Sequence, residues 1–246
     1  MTLTAMEQPV GDALQRPVMT AAEFLAWDAG QTIKHEFVRG ELFAMAGGED
    51  RNATVAGNVY MALRTHLRGT ACRVYGSDVK LRVEAADCYF YPDVMVTCEP
   101  RLLELDAQVQ VVDSPVLIVE VLSPATAAYD RGEKFAAYRR IPSLRDFVLI
   151  DPDLRRIEHY RRSQVTVGAA FRHPPSAVIA LLETTAARVE GVLPAPPSRA
   201  FLLSYGDSAI QYGVRFWIAS ALDNTALCSA VQQAIWQSFG ENNIEI

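Results

Sequence analysis

The chain has 246 residues and a formal net charge of −6, and half of its residues are hydrophobic. This length predicts one large domain or two modest ones. A net negative charge argues against strong nonspecific binding to nucleic acid. No run reaches the about 18 consecutive apolar residues of a membrane-spanning helix, and no basic region followed by an apolar run marks a secretory signal near the N-terminus.

The first predicted elements lie near the N-terminus. Residues 1–17 are polar and irregular, and we expect a loose tail. A short helix is predicted over residues 19–27, because Thr20 suits its N-cap and Glu23 completes a capping box. The segment FVRGELFAMA (37–46) is strand-like.

A longer helix and three strands follow. The helix is predicted from about residue 51 to 67, where apolar residues recur at spacings of four (Val55, Val59, Leu63). Strands are predicted for CRVYGSDVKLRV (72–83), YFYPDVMV (89–96) and PVLIVEVL (115–122). The last is apolar except for Glu120, which is typical of a strand buried on both faces.

The next predicted element is a helix that carries a lysine. Asp130 and Glu133 form a second capping box, and Pro142 would end the helix that this box begins. Lys134 would then lie in the first turn of this helix, close to the strand that holds Glu120.

The sequence changes character after Arg162, because lysine is absent from there on. The predicted elements are strand 164–171, helix 176–189, strands 199–206 and 209–219, helix 224–239 and a final strand NIEI. This β-α-β-β-α-β order is the split arrangement of ferredoxin-like domains. Gly240 suits the position just after the last helix.

Two carboxylates in apolar strand-like sequence, Asp93 and Glu120, carry the main chemical signal. An ionised carboxylate buried there costs several kcal/mol unless a cation, a metal or a proton compensates it. Two such groups can share one divalent cation, which predicts a metal-dependent hydrolase. A buried ion pair with an arginine is the alternative. Lys134 is one of only three lysines among 23 basic residues, and lysine suits orienting or activating a water.

The other reactive residue types give no site. The four cysteines show no CxxC spacing, so we expect reduced core residues of a cytoplasmic protein. The four histidines are scattered, without metal-ligand spacing. Residues 139–162 hold seven arginines against four acidic residues, which fits either a salt-bridged surface or a surface that faces phosphates.

Residues 19–162 resemble the Uma2 (Uma-two) family within the PD-(D/E)xK nuclease superfamily. The matching segments, in order, are MTAAEFLAW, HEFVRGELFAMAGG, RNATVAGNVYMALRTHLRG, FYPDVMVTC, IVEVLSPAT, YDRGEKFAAYRRI and FVLIDPDLRRIEHYRR. This resemblance implies an α/β restriction-endonuclease-like core, a mixed sheet flanked by helices. It also implies hydrolysis of phosphodiester bonds in nucleic acid, with DNA the expected substrate and Mg²⁺ or Mn²⁺ the expected cofactor.

The resemblance also implies roles for individual residues. Asp93 matches the motif aspartate and Glu120 the motif glutamate, and these two would bind the metal. Leu122 stands where the motif lysine is expected, which points to Lys134 on the following helix as the displaced lysine. Glu41 matches an acidic residue placed near such sites.

Two further positions are weaker matches. Glu36 is an alternative to Glu41 as the additional acidic residue. Asn52 stands where a histidine is expected in relatives, which leaves a supporting role for this position open.

Residues 164–246 resemble the C-terminal cytoplasmic domain of the small-conductance mechanosensitive channel family. The resemblance is carried by VLPAPPSRAFLLSYGDSAIQYGVRFWI and ENNIEI. The pore helices are absent from the sequence, so channel activity is not implied, whereas self-association into a homo-oligomer is.

The expected organisation is therefore a tail (1–17), a nuclease-like domain (18–163) and an α+β ferredoxin-like domain (164–246). A fragment ending near Ser163 should fold alone and keep any cleavage activity. The alternative function is a catalytically inactive nuclease fold that serves as a binding or scaffold module, with Leu122 in the lysine position as the feature that favours it.

Overall fold

The computed structural model describes residues 19–45, 50–99 and 111–246. The predicted tail lies outside the described residues, as does the last residue of the strand predicted over 37–46. The helices are α1 (Ala21–Asp28), α2 (Asp50–His66), α3 (Ala127–Tyr129), α4 (Phe135–Tyr138), α5 (Pro175–Ala187) and α6 (Asn224–Glu241). The strands are β1 (His35–Val38), β2 (Glu41–Ala44), β3 (Arg73–Gly76), β4 (Lys80–Val83), β5 (Cys88–Phe90), β6 (Val94–Thr97), β7 (Val111–Val112), β8 (Pro115–Val121), β9 (Asp146–Asp151), β10 (Arg156–Ala170), β11 (Arg199–Tyr205) and β12 (Ala209–Ile218).

The strands of the described residues form two sheets. The smaller has the order β2-β1-β5-β4-β7, and the larger has the order β11-β12-β10-β9-β8-β6-β3. In the larger sheet β8 and β9 run parallel and the other neighbours antiparallel. Helix α2 packs on one face of β3, β6 and β8, while α4 packs against the opposite side of β8 and β9. This mixed sheet flanked by helices confirms the predicted α/β class of the N-terminal half.

The first two elements follow from local sequence. The capping box predicted for α1 is present, with Thr20 accepting from the Glu23 backbone and Glu23 from that of Thr20. The strand-like segment 37–46 is in strands as predicted, but it is divided by a turn, because β1 and β2 form an antiparallel hairpin there. Its two turn residues, Arg39 and Gly40, both have positive φ (48° and 95°), the geometry that a two-residue hairpin turn requires.

Two of the predicted strands are each divided between the two sheets. Segment 72–83 forms β3 in the larger sheet and β4 in the smaller one. Segment 89–96 is interrupted around Pro92, with β5 in the smaller sheet and β6 in the larger one. The interruption leaves Asp93 immediately before β6, where the two sheets meet.

The helical segment after β8 differs from its prediction. It begins at Ala127, and residues 130–134 form a π-helical turn between α3 and α4. The predicted capping box of Asp130 and Glu133 is wrong, since no side chain caps this turn. Instead the Asp130 carboxylate lies 3.7 Å from the Lys134 ammonium, one helical turn further along.

The C-terminal half confirms the predicted α+β class, with a β-α-β-β-α order and the sheet order β11-β12-β10. The final strand was predicted wrongly, although Ala170 N–H donates to the Glu245 carbonyl at 2.9 Å, where the fourth ferredoxin-like strand would pair. Gly240 lies inside α6, which continues to Glu241. Helices α5 and α6 bury apolar residues against one face of this sheet.

The two halves share one long strand and part of one core. The first residues of β10 (156–161) pair with β9, and its remainder (161–170) pairs with β12. The predicted boundary at residue 163 therefore falls inside β10. Trp217 of β12 is 3% exposed and belongs to the apolar core of the N-terminal half, where its ring meets Phe135 edge-on at 5.9 Å.

Two of the four cysteines are not reduced, contrary to the prediction. Cys72 and Cys98 form a disulfide, while Cys88 and Cys228 are free thiols. Cys72 directly precedes β3 and Cys98 directly follows β6, so the antiparallel register places them opposite each other, with Cα atoms 4.0 Å apart. Sequence spacing could not reveal this pair, because its closeness depends on the register of two strands.

Reduction of this disulfide should destabilise the protein. The bond closes a loop across 26 residues of sequence, for which the loss of loop-closure constraint corresponds to about 3 kcal/mol of unfolding free energy. Urea unfolding with and without a thiol reductant measures this difference, and a variant with Cys72→Ser and Cys98→Ser should not respond to the reductant. Identical unfolding curves for the wild-type protein in both conditions would contradict the expectation.

Candidate active site

The strand register brings the two predicted carboxylates together. Strands β6 and β8 pair antiparallel with Val94 opposite Val119 and Met95 opposite Ile118. Extending this register by one residue places Asp93 opposite Glu120, and cross-strand partners project from the same face of a sheet.

Hydrogen bonds fix these two residues to each other's strand. Val121 N–H donates to Asp93 Oδ2 at 2.7 Å, and Asp93 N–H lies 3.4 Å from Glu120 Oε2. Glu120 is buried at 3% exposure, and Asp93 is half-buried. The carboxyl groups are thus held by backbone amides of the sheet itself, which limits their freedom to move.

Lys134 reaches this pair from the helical segment after β8. Its Nζ lies 3.1 Å from Glu120 Oε1, 3.0 Å from Glu36 Oε1 and 3.7 Å from Asp130 Oδ1. We call Glu36, Asp93, Glu120 and Asp130, with Lys134 among them, the acidic cluster. Its lysine is only 6% exposed.

Sequence reasoning missed two residues of this site. Asp130 contacts Lys134, and the Tyr138 hydroxyl donates to Glu120 Oε1 at 2.7 Å. Both lie four residues from Lys134, so the three share one side of the helical segment. This spacing of four on either side of the lysine was the signal that could have identified them.

The additional acidic residue of the cluster is Glu36, which sequence analysis ranked below Glu41. Glu36 is buried in β1 and also accepts from the Tyr91 N–H at 3.4 Å. Glu41 begins β2 opposite Val38 and is exposed. Both side chains project from the same face of the hairpin, but the contact to Lys134 is made by Glu36.

Leu122, which stands where the motif lysine is expected, and Asn52 both support the end of β8. Leu122 is buried in the apolar core, so it supplies no charge to the site. The Asn52 side-chain amide donates to the Leu122 carbonyl at 3.1 Å and ties α2 to the residue after β8. Asn52 therefore positions the strand that carries Glu120.

Burial dominates the acidity of the two central carboxyl groups. Burial raises the pKa of Glu120 to about 8, against the lowering effect of Lys134 and with further raising by Asp93 and Asp130. Burial also raises the pKa of Asp93, with the Val121 N–H and Lys134 opposing it. Glu120 is therefore largely protonated at neutral pH unless a cation joins the cluster.

The pKa of Lys134 is also raised, in its case by neighbouring charges and not by burial. Burial favours its neutral form, but Glu120, Glu36 and Asp130 together outweigh burial and raise the pKa of Lys134. Burial, followed by the charges of Glu120 and Glu36, raises the pKa of Tyr138. Lys134 therefore stays an ammonium and Tyr138 a phenol, and both act as hydrogen-bond donors.

The donor set of the cluster fits a divalent cation with oxygen ligands. Four carboxyl groups face one ammonium group, so the cluster has an excess of negative charge in a buried place. Mg²⁺ is bound by one or two carboxylates and keeps several waters, which matches the pair of Asp93 and Glu120. Within residues 19–45, 50–99 and 111–246 no group of three or more His, Cys, Asp or Glu side chains is arranged to hold a metal ion, so an ion here would rest on this pair of carboxylates and on water.

Among the helices in the described part of the chain, none has the length and apolar character needed to cross a membrane.

Comparison with known families gives two matches. The Uma2 family, described as "Putative restriction endonuclease", matches residues 21–188. The C-terminal domain of the mechanosensitive ion channel MscS matches residues 164–246. The two matches overlap over the second half of β10 and α5, where the two halves of the fold are also joined.

Comparison with individual proteins gives relatives for the N-terminal half. Two uncharacterized proteins of Synechocystis sp., slr1290 and sll1609, are each 36% identical to the chain, over 147 and 145 residues. These matches cover 60% and 59% of this chain and 76% and 81% of the relatives.

A crystal structure from Anabaena variabilis, described as "a putative nuclease belonging to DUF820", has a TM-score of 0.50 at 17% identity. It covers 58% of this chain and 79% of that chain, which shows a shared fold. The family match over residues 21–188 spans more than half of the chain, so the chain belongs to the Uma2 family.

Proposed function

We propose that the protein is a metal-dependent endonuclease that hydrolyses phosphodiester bonds in nucleic acid, with DNA as its substrate. The observation that carries this proposal is the acidic cluster, in which Asp93 and Glu120 face each other with Lys134 in contact with Glu120. Membership of the Uma2 family supports the reaction class.

Asp93 and Glu120 would hold a single Mg²⁺ or Mn²⁺ ion. When bound, such an ion supplies Lewis-acid stabilisation of the charge that develops on the phosphate and lowers the pKa of water. Glu120 would have to release its proton to become a ligand, and the Tyr138 hydroxyl and the Lys134 ammonium stabilise the resulting carboxylate. The Val121 N–H holds Asp93 in the orientation that faces its partner.

Lys134 would orient the attacking water and would not deprotonate it. Its raised pKa keeps it charged, so it can donate hydrogen bonds but cannot accept the proton of the water. A lysine that failed to reach the carboxylates would favour the inactive scaffold alternative. The 3.1 Å distance between Lys134 and Glu120 supports the enzyme instead.

The remaining proposals concern partners and location. Nucleic acid is the proposed partner, and the MscS-like half would mediate assembly of a homo-oligomer. A nucleic-acid substrate favours a cytoplasmic location.

Cleavage assays test the proposed activity. Full-length protein should nick or cut a mixture of plasmid and single-stranded nucleic acids with Mg²⁺ or Mn²⁺, and a chelator should abolish this. Asp93→Asn should reduce the rate by about a hundredfold or more, as expected when a metal ligand is lost. The exposed turn residue Asp207 provides a matched control, and Asp207→Asn should cleave like the wild-type protein. Equal rates for the two variants would remove Asp93 from the mechanism.

Metal binding should strengthen as pH rises. Because Glu120 has a pKa of about 8, below that pH the ion must displace a proton from this residue. The association constant for Mn²⁺ should therefore rise by about tenfold per pH unit from pH 6 to about 8 and then level off. Calorimetric titrations over this range measure it. A constant affinity between pH 6 and 8 would contradict the role of Glu120 as a ligand.

A further inference from the structure

Three arginines lie side by side on one face of the larger sheet, where the two halves of the chain join. Arg162 and Gln164 are two residues apart on β10, so their side chains project from the same face. Arg215 of β12 lies opposite Gln164, and Arg199 of β11 lies opposite Arg215. Because cross-strand partners share a face, Arg162, Arg199 and Arg215 belong to one surface.

A fourth arginine, directly before β9, belongs to the same surface. Arg161 pairs with Asp146, and extending that register by one residue places Arg145 opposite Arg162. The Arg162 N–H donates to the Arg145 carbonyl at 2.8 Å, as this pairing requires. We call Arg145, Arg162, Arg199 and Arg215 the arginine face.

The arginine face is open to solvent. Helices α5 and α6 pack on the opposite face of β10, β11 and β12. On the arginine face itself Arg145, Arg199 and Arg215 are exposed and Arg162 is half-buried.

The positive charge of the arginine face is largely uncompensated. Arg199 lies 3.8 Å from the Glu183 carboxylate, whereas the other three arginines make no ion pair with any residue that the structure describes. The neighbouring Arg161, whose side chain projects from the opposite face, differs in this respect, because it donates to both oxygens of Asp146 at 2.8 and 3.2 Å. The arginine excess of residues 139–162 is therefore neutralised at Arg161 but not at Arg145 and Arg162.

Arg162 is affected by the like charges beside it. Its pKa is lowered to about 10, by burial first and then by the charges of Arg215 and Arg145. Both neighbours are thus close enough to repel Arg162, and an anion bound among the three would relieve this repulsion.

Arg215 is held in position by contacts on its own sheet face. Its Nε donates to Gln164 Oε1 at 2.7 Å, and its guanidinium carbon lies 4.4 Å from the centre of the Phe201 ring. Gly213 permits this packing, since a Cβ atom there would lie 2.9 Å from the Phe201 ring. The two terminal nitrogens of Arg215 remain as donors for a ligand.

The arginine face and the acidic cluster lie on the same side of the larger sheet. Glu120 lies opposite Leu149, which is four residues from Arg145 and projects from the same face. Four residues of strand correspond to about 13 Å. At about 3.4 Å of rise per nucleotide in a duplex strand, this separation is about four nucleotides.

We propose that the arginine face binds the phosphate backbone of nucleic acid, away from the proposed cleavage centre. Guanidinium groups donate paired hydrogen bonds to phosphate oxygens, and four of them spread over an open sheet match a chain of phosphates better than a single anion. This inference rests on the proposed function, which has nucleic acid as its substrate, and it adds a contact surface outside the acidic cluster.

Binding measurements on the full chain without divalent metal test this surface. Anisotropy of labelled single-stranded and duplex oligonucleotides gives the dissociation constants and their salt dependence. The double variant Arg145→Gln with Arg215→Gln should bind both about tenfold more weakly. Its salt slope should be smaller by about 1.4 on the single strand and about 1.8 on the duplex, because each phosphate contact contributes about 0.7 or 0.9. Arg162 is left intact because it is half-buried and donates to the Ile141 carbonyl.

Matched variants separate backbone binding from a general effect of charge. Arg188 is an exposed arginine that directly follows α5, on the opposite side of the same sheet, so Arg188→Gln should bind within about twofold of the wild-type protein. Arg145→Lys with Arg215→Lys keeps both charges and should keep the wild-type salt slope. A Gln double variant that binds both oligonucleotides as well as Arg188→Gln would overturn the inference. The same holds if inorganic phosphate stabilises the wild-type protein against heat but not the Gln double variant, while both bind oligonucleotides equally, because the face would then hold free phosphate.

The outcomes separate this inference from the proposed function. If the wild-type protein cleaves nucleic acid and the Gln double variant binds it normally, the arginine face is wrong and the endonuclease stands. If the wild-type protein binds nucleic acid through the arginine face but cleaves none with Mg²⁺ or Mn²⁺, the endonuclease is wrong and the arginine face stands. If it neither binds nor cleaves nucleic acid, both proposals are wrong.

Discussion

Replacing Lys134 by methionine should both abolish cleavage and destabilise the protein by about 3–5 kcal/mol, the cost of removing one partner from a buried ion pair. The substitution leaves Glu36, Glu120 and Asp130 without the cation that they contact at 3.0–3.7 Å. The sequence placed Lys134 in the first turn of a helix, where substitution costs little stability. The side chain is buried, and its burial makes the substitution costly. Urea unfolding and cleavage assays measure the two effects.

The stability deficit should also depend on pH. In the folded protein the pKa of Glu120 is about 8, above its ordinary value of 4.5, so the native state binds more protons than the unfolded state between these values. Stability from this group therefore falls as pH rises through that range. Loss of Lys134 raises the pKa of Glu120 further, so the deficit should be larger at pH 8 than at pH 5.

Lys34 provides the matched control for this experiment. Its side chain is 40% exposed and pairs with the exposed Asp78, so Lys34→Met should cost less than about 1 kcal/mol. A Lys134→Met protein that is as stable as Lys34→Met at pH 8, and that still cleaves, would contradict both roles assigned to Lys134.

A fragment that ends at Ser163 should fail to fold, which is the reverse of what the sequence suggested. The cut falls inside β10 and removes the whole pairing partner β12. It also removes Trp217, which packs on Phe135 in the N-terminal core, and Leu193, which lies against the same core. The fragment should be insoluble or should unfold without a cooperative transition, as measured by circular dichroism and urea unfolding.

Single substitutions in the full chain also test whether the N-terminal core depends on the C-terminal half. Trp217→Ala should cost about 3–5 kcal/mol, because it empties a large buried site. Trp236 is 67% exposed on α6, so Trp236→Ala should change the unfolding free energy by less than about 0.5 kcal/mol. A soluble 1–163 fragment that unfolds cooperatively, together with equal stability of the two tryptophan variants, would mean that the halves are independent.

The sequence was most informative where a local pattern coincides with burial. The apolar run around Glu120 forms β8, the Thr20–Glu23 box begins α1, and Asp93 and Glu120 meet as expected. The strand and the capping box depend on neighbours a few residues away. The pairing of Asp93 and Glu120 was predictable because both buried carboxylates need a cation, a metal or a proton to compensate their charge. Lys134 was placed correctly near Glu120, although its burial was not foreseen.

What the sequence could not give depends on long-range pairing. Apolar periodicity predicts that a strand is buried but not which sheet it joins, so the division at Pro92 was missed. The closeness of Cys72 and Cys98 follows from the β3–β6 register, and the choice of Glu36 over Glu41 follows from which side chain meets Lys134. The composition changes near residue 163, which suggested a domain boundary there, but β10 runs through this position and is shared by both halves.

Mn²⁺ binding at pH 8 tests the central claim that the acidic cluster is a divalent-cation centre, independently of activity. Titration calorimetry on the full-length protein should show one site in the wild-type protein and in Asp207→Asn. The site should be lost in Asp93→Asn and in Glu120→Gln, because each removes one of the two carboxylate ligands. Wild-type affinity in both of these variants would show that the cluster is a structural ion-pair network and not a metal centre.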